Sequence, residues 1–141
     1  MRFMHTADWH VGKVLKGRDR LDEQRAVLAE IAGIAEQSEV DAVLIAGDIY
    51  EHAAPSAAAQ NLVIQTLLRL RRAGAEVIAI AGNPDHGPTI EAYRPLMGVA
   101  GITLVGAVRR PDVGLVEEQQ VLALHAEHQR FGVDRPGAQG A

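Results

Sequence analysis

Three apolar runs, each leading into an acid or an amide, govern what this chain can fold into. "DAVLIAGD" and "AEVIAIAG" are continuous rather than alternating, so each reads as a strand buried on both faces of a sheet. The lead-in from Arg2 to Ala7 is shorter and mostly apolar, and reads as another buried strand. Asp8 follows the first run, Asp48 the second and Asn83 the third. Between the runs the apolar period becomes that of a helix. Leu21, Leu28, Ile31 and either Ile34 or Ala35 share one face of a first helix, with Asp19 or Asp22 near its N-terminus and an end near Ser38. Pro55 and Ser56 open a second, in which Leu62, Val63, Leu67 and Leu70 recur at helical spacing. Arg69, Arg71 and Arg72 suit its last turn before Gly74. Thr89 is placed to cap a short third helix through Met97, with Pro95 near an end or at a kink, and "GITLVG" supplies a fourth strand. Strand and helix alternating in this way predict an α/β fold, a mostly parallel sheet with right-handed crossovers and flanking helices.

At 141 residues the chain has the length of about one domain and can bury roughly two-thirds of its unfolded surface. Its 48% hydrophobic and 23% charged content excludes the disordered and fibrous classes. It has no cysteine, so any metal must be held by His, Asp, Glu or Asn. No stretch has the length of a signal peptide or of a membrane span, and the protein reads as cytoplasmic, with no membrane partner. A net charge of -4 gives the whole chain no attractive field for nucleic acid. Locally the balance reverses: Lys13, Lys16, Arg18 and Arg20 stand against the single acid Asp19, either as a phosphate-contacting loop or as an ordinary solvated one.

In a parallel sheet, ligands bind outside the carboxyl ends of the strands. Asp8 with His10, Asp48, and Asn83 with Asp85 and His86 are therefore predicted to meet at one edge. Each pair is ordinary turn chemistry when read alone; three at equivalent places are a pattern. An Asp and a His two residues apart can reach one cation, a carboxylate can bridge two cations about 3.5 to 4 Å apart, and an amide oxygen can complete the second. Mixed imidazole, carboxylate and amide donors favour manganese, with magnesium, iron or zinc as alternatives. His5 reads as structural, Glu51 and His52 as ordinary loop residues, and Trp9 as a wedge that holds its loop against the core, with stacking on DNA the lesser alternative. After Gly106 the pattern weakens, leaving at most one short helix around Glu117 to His128.

"HTADWHVGK", "LIAGDIYEH" and "IAGNPDH" resemble the first three motifs of the calcineurin-like metallophosphoesterases. With "LDEQRAVLAEIA" and "AYRPLMGVAGITLVGA", the first motif resembles the SbcD-type components of bacterial SbcCD nucleases. The resemblance covers residues 1–107 and implies the N-terminal part of a metallophosphoesterase nuclease domain, the first half of a β-sandwich flanked by helices, followed by a divergent or truncated tail over 108–141. It implies a pair of divalent ions, with Asp8 and His10 on the first, Asp48 bridging and Asn83 on the second. It further implies cleavage of DNA ends and hairpins in repair and recombination, an SbcC-like ATPase partner, and a homodimer, for which the faces Leu62 to Leu70 and Ile90 to Leu96 are the candidates. Two departures stand out. Pro84 occupies the position of the family's third-motif histidine, which assists at the scissile phosphate, and proline offers neither donor nor titrating group; His86 could replace it only after a loop rearrangement. The family's Gly-His-x-His motif is also missing, and His125 and His128, three apart, read as exposed helix residues rather than replacement ligands. Activity is therefore expected to be impaired, the alternative being an inactive chain that acts in dimerisation or partner binding.

Overall fold

The computed structural model describes residues 1–82, 85 and 87–106. The helix expected around Glu117 to His128, and Asn83, Pro84 and His86, lie outside the described residues.

Strand β1 (Phe3–Ala7) leads through a small hairpin, β2 (Val14–Leu15) and β3 (Arg18–Asp19), into helix α1 (Leu21–Gln37). Then follow β4 (Ala42–Ala46), α2 (Ala57–Arg72), β5 (Glu76–Ile80), α3 (Gly87–Val99) and β6 (Ile102–Val105). The main sheet is parallel throughout, in the order β1-β4-β5-β6. Among the described residues no helix is long and apolar enough to cross a membrane.

Local chemistry sets the element ends. Asp19 Oδ1 accepts from the Leu21 amide at 2.9 Å at the start of α1. Ser56 accepts from the Ala59 amide at 3.2 Å and starts α2. Helix α3 begins two residues before the expected cap, at Gly87 with Pro88 in its first turn, where a missing amide hydrogen costs nothing. Pro95 lies inside that helix, and the burial of Ile90 and Met97 on the same element outweighs the backbone bond that proline removes.

A strand order that advances always in one direction, with right-handed crossovers, carries successive helices to the same face of the sheet. On that face Val43, Ile45, Val77, Ala79, Ile102 and Leu104 are buried with Leu28, Ala32 and Ala35 of α1 and Leu62, Val63, Leu67 and Leu70 of α2. The two helices are tied across by Arg69, whose Nε and Nη2 donate to Glu36 at 2.9 and 3.0 Å and hold that carboxyl below its usual range.

Three expectations change here. The second strand is covered on one face only: Val43 and Ile45 are buried while Leu44 is 37% exposed, because no helix crosses to the other side among the described residues. That side of β1 is open too, with Phe3 and His5 exposed. On α1, Ala35 turns inward and Ile34 outward. The α2 face from Leu62 to Leu70 is enclosed in the chain's own core, as is Ile90, and neither is available to a second copy. Leu96 and Val99, at 64% and 89% exposure, are the apolar residues that α3 leaves outside.

Candidate metal centre

The register of the sheet builds the site. Ala7 pairs with Ala46, and Ala46 with Ile80, so the loops leaving β1, β4 and β5 start level with one another. The first two then run on side by side. His10 N donates to Asp48 O and Val11 N to Ile49 O, both at 2.9 Å, and Glu51 N returns to Val11 O at 3.1 Å. This extension of the β1/β4 ladder brings Asp8, His10 and Asp48 together, with one potential donor atom from each lying within 4.8 Å of the others. His10 Nε2 faces Asp48 Oδ2 at 3.8 Å.

The backbone here is strained. Asp8, His10 and Asp48 have φ of 54°, 45° and 46°, in the left-handed region that non-glycine residues rarely adopt. Each such residue costs on the order of 1 kcal/mol, which surrounding contacts must offset. Gln24 of α1 supplies one of them: its Nε2 donates to His10 O at 2.7 Å and its Oε1 accepts from Gly12 N at 3.0 Å. Trp9 is 9% exposed and belongs to the core, its indole N–H donating to Thr6 Oγ1 at 2.9 Å, so it anchors the loop and has little face left for a base.

Asp85 supplies the second contact. It is 6% exposed, and its carboxylate accepts from three backbone amides: Ile49 at 3.0 Å, Tyr50 at 2.7 Å and Gly82 at 2.7 Å. It thus clasps the loop carrying Asp48 to the loop leaving β5. Burial, with Tyr93 and Asp85 nearby, pushes the Tyr50 phenol well above its ordinary range. Gly82 passes so close to Asp48 that an added Cβ would overlap the Asp48 amide nitrogen and Oδ1, and would stand 2.9 Å from the Gly47 carbonyl carbon.

Sequence reasoning missed three residues here. Gln24 carried no signal, being one polar residue on an amphipathic helix. Asp85 was grouped with the strand ends but given no role, and only its burial shows that its carboxylate is used by amides. Glu51, read as an ordinary loop residue, has its Oε2 2.9 Å from His10 Nδ1. His5 lies on the open face of β1, opposite Leu44 in register, and is not part of the cluster. The basic segment is a hairpin rather than a loop. Positive φ at Lys16 and Gly17, 50° and 75°, gives the two-residue turn that matches strand twist. Lys16 and Arg18 are exposed and Lys13 is half-buried. Arg20 is committed to an ion pair with Glu23.

Two carboxylates and an imidazole, on rigid strand ends and with one side open to solvent, suit a hard or borderline divalent cation. Without a cation the same carboxylates repel each other. Asp8→Asn, which keeps a residue tolerant of positive φ, is therefore expected to raise the unfolding midpoint of the metal-free protein by a few degrees, about 1 kcal/mol, while weakening manganese binding. Thermal melts with and without manganese check both signs.

A parallel sheet with carboxylates and an imidazole gathered at its carboxyl edge defines the class, an α/β protein with a candidate site for divalent ions. The chain belongs to the calcineurin-like phosphoesterase family, which it matches over residues 1–135. It is similar to SbcD, the smaller-lettered half of the nuclease SbcCD, of Bacillus subtilis (strain 168), at 42% identity over 107 residues, 75% of this chain and 27% of that protein. SbcD of Rhodobacter capsulatus is 34% identical over 126 residues, covering 88% of this chain and 31% of its own length. That of Escherichia coli (strain K12) is 31% identical over 107 residues, 76% of this chain and 27% of the relative. The chain thus spans less than a third of the length of these curated relatives.

Proposed function

We propose that this chain forms the first metal-binding strand ends of an SbcD-like, manganese-dependent DNA nuclease of the cytoplasm. The observation that carries the reading is the convergence of Asp8, His10 and Asp48 within 4.8 Å of one another at the carboxyl edge of the sheet. In this reading Asp8 and His10 hold one ion, Asp48 bridges to a second, and Asn83 serves the second. Divalent ions bound there would supply positive charge to the phosphodiester and ionise water for in-line attack. The chain's own part is to fix the ligands before any ion arrives, through the Gln24 and Asp85 contacts. Lys13, Lys16 and Arg18 on the hairpin are suited to contact the DNA backbone; Arg20, already paired with Glu23, is the weakest member of that set.

The similarity to SbcD proteins supports DNA ends and hairpins as substrates, an SbcC-like ATPase as partner, and a homodimer. Residues 1–107 would be the N-terminal part of the nuclease domain and 108–141 a divergent tail. Pro84 favours a second reading, a chain that binds partners without cleaving, because it lacks the proton-bearing histidine of the family's third motif.

One experiment addresses both. Manganese is titrated calorimetrically into the chain and into Asp48→Asn, and hairpin-ended DNA is offered to the chain and to Pro84→His. Tight binding that Asp48→Asn abolishes, with faster cleavage by Pro84→His, supports the nuclease reading. Binding without cleavage by either protein favours the second, and no manganese binding overturns the metal site.

A further inference from the structure

Of the polar groups around His10, one has no part in the metal site so far described. His10 Nδ1 and Glu51 Oε2 lie 2.9 Å apart, in side chains 30% and 25% exposed. Both atoms are shielded from water, and neither meets hydrogen-bond geometry with any partner, the other included. Leaving two polar atoms buried and unsatisfied costs about 1–3 kcal/mol each, so an apposition this close calls for a reason. Glu51 is not there by accident of a loose loop: its amide is bound to Val11 O at 3.1 Å, which fixes the side chain's origin beside the imidazole.

The opposite edge of the same ring supplies the reason. Nε2 is the nitrogen turned toward Asp48, 3.8 Å from Oδ2, and so the one available to a cation shared with the carboxylates. A neutral imidazole offers a lone pair on one nitrogen only, and the proton must then sit on the other. A carboxylate beside Nδ1 favours the proton there, leaves Nε2 free, and raises the basicity of the ligand. The pair falls short of hydrogen-bond geometry with the ring as it stands, and a modest turn of the imidazole toward the cluster would align it. The positive φ of His10, 45°, marks the ring as held at the end of a strained backbone, where such a turn is coupled to the loop.

We infer that Glu51 is a positioning residue for His10, selecting the tautomer protonated on Nδ1 and so presenting Nε2 to a divalent cation. The inference rests on the metal-site reading for its purpose, but the tautomer itself is set without an ion. Glu51 acts only through His10.

The test separates the two. Nitrogen-15 spectra of histidine-labelled, metal-free full chain are recorded at mildly alkaline pH, where imidazoles are neutral, with His10 assigned by its loss in His10→Asn. The unsubstituted chain is expected to show protonated Nδ1 and bare Nε2. Glu51→Ala is expected to shift His10 toward the opposite tautomer, and Glu51→Gln, which keeps an acceptor oxygen without the charge, to stand between them. Manganese affinity by calorimetry should fall about 10- to 100-fold in Glu51→Ala and less in Glu51→Gln. Should Glu51→Ala fail to fold, Glu51→Gln carries the same two readouts. An unchanged tautomer overturns the inference whatever the affinity does. A shifted tautomer in a chain that binds no manganese supports the positioning role and overturns the metal reading instead.

Discussion

Gly82→Ala is expected to abolish manganese binding and to lower stability by about 3 kcal/mol, the upper range for forcing extra volume into a packed site. The added Cβ would overlap the Asp48 amide nitrogen and Oδ1, and relief requires either the loop after β5 or the Asp48 backbone to move. Both movements act on the site, since Gly82 N is held by Asp85 and Asp48 is the residue proposed to bridge the ions. The matched control is Gly33→Ala in α1, where a new Cβ meets nothing within 4 Å. There the substitution should stabilise by up to about 1 kcal/mol, because glycine is a poor residue within a helix. Urea unfolding and manganese calorimetry on the pair give opposite signs for one chemical change; equal effects at both positions would remove the special role given to Gly82.

Asp85→Ala should be costlier still. It strips the acceptor from the amides of Ile49, Tyr50 and Gly82, and its own position, 6% exposed, gives water little access to replace it. At about 1–3 kcal/mol for each buried group left unmade, the expected loss is roughly 3–6 kcal/mol, a large part of an ordinary domain's stability. Asp85→Asn keeps one acceptor oxygen but turns an NH2 group toward a remaining donor, so its loss should be smaller and still clear. Metal affinity should fall in the same order, since the clasp holds the loop that carries Asp48. A denaturation midpoint for Asp85→Ala within error of the parent chain would show that the three amides find other partners.

The class of fold was legible because hydrophobic period is a local property. "DAVLIAGD" and "AEVIAIAG" are apolar runs of strand length, and β4 and β5 lie within them, at Ala42–Ala46 and Glu76–Ile80. Of the proposed ligands, Asp8, His10 and Asp48 were legible for the same reason. Polar residues placed directly after buried strands must emerge at the carboxyl edge. Their neighbours were not. Asp85 reaches amides 35 and 36 residues away, and Gln24 reaches His10 from 14 residues on, distances over which no periodic pattern survives. Glu51 looked like a loop residue because nothing in "DIYEH" says which way a loop side chain turns.

By itself, then, the sequence determined the order of strands and helices and the points where polar groups leave the sheet, since both follow from which residues avoid water. Tertiary structure decided the rest. A strand order advancing in one direction placed α1 and α2 on one face and left Leu44 on the other open, and α2 buried Leu62 to Leu70 where an interface had been expected. The register of β1 on β4 set which atoms of Asp8, His10, Asp48 and Glu51 meet. Register and crossover direction are settled by the packing of whole elements against one another, and that energy belongs to no single stretch of chain.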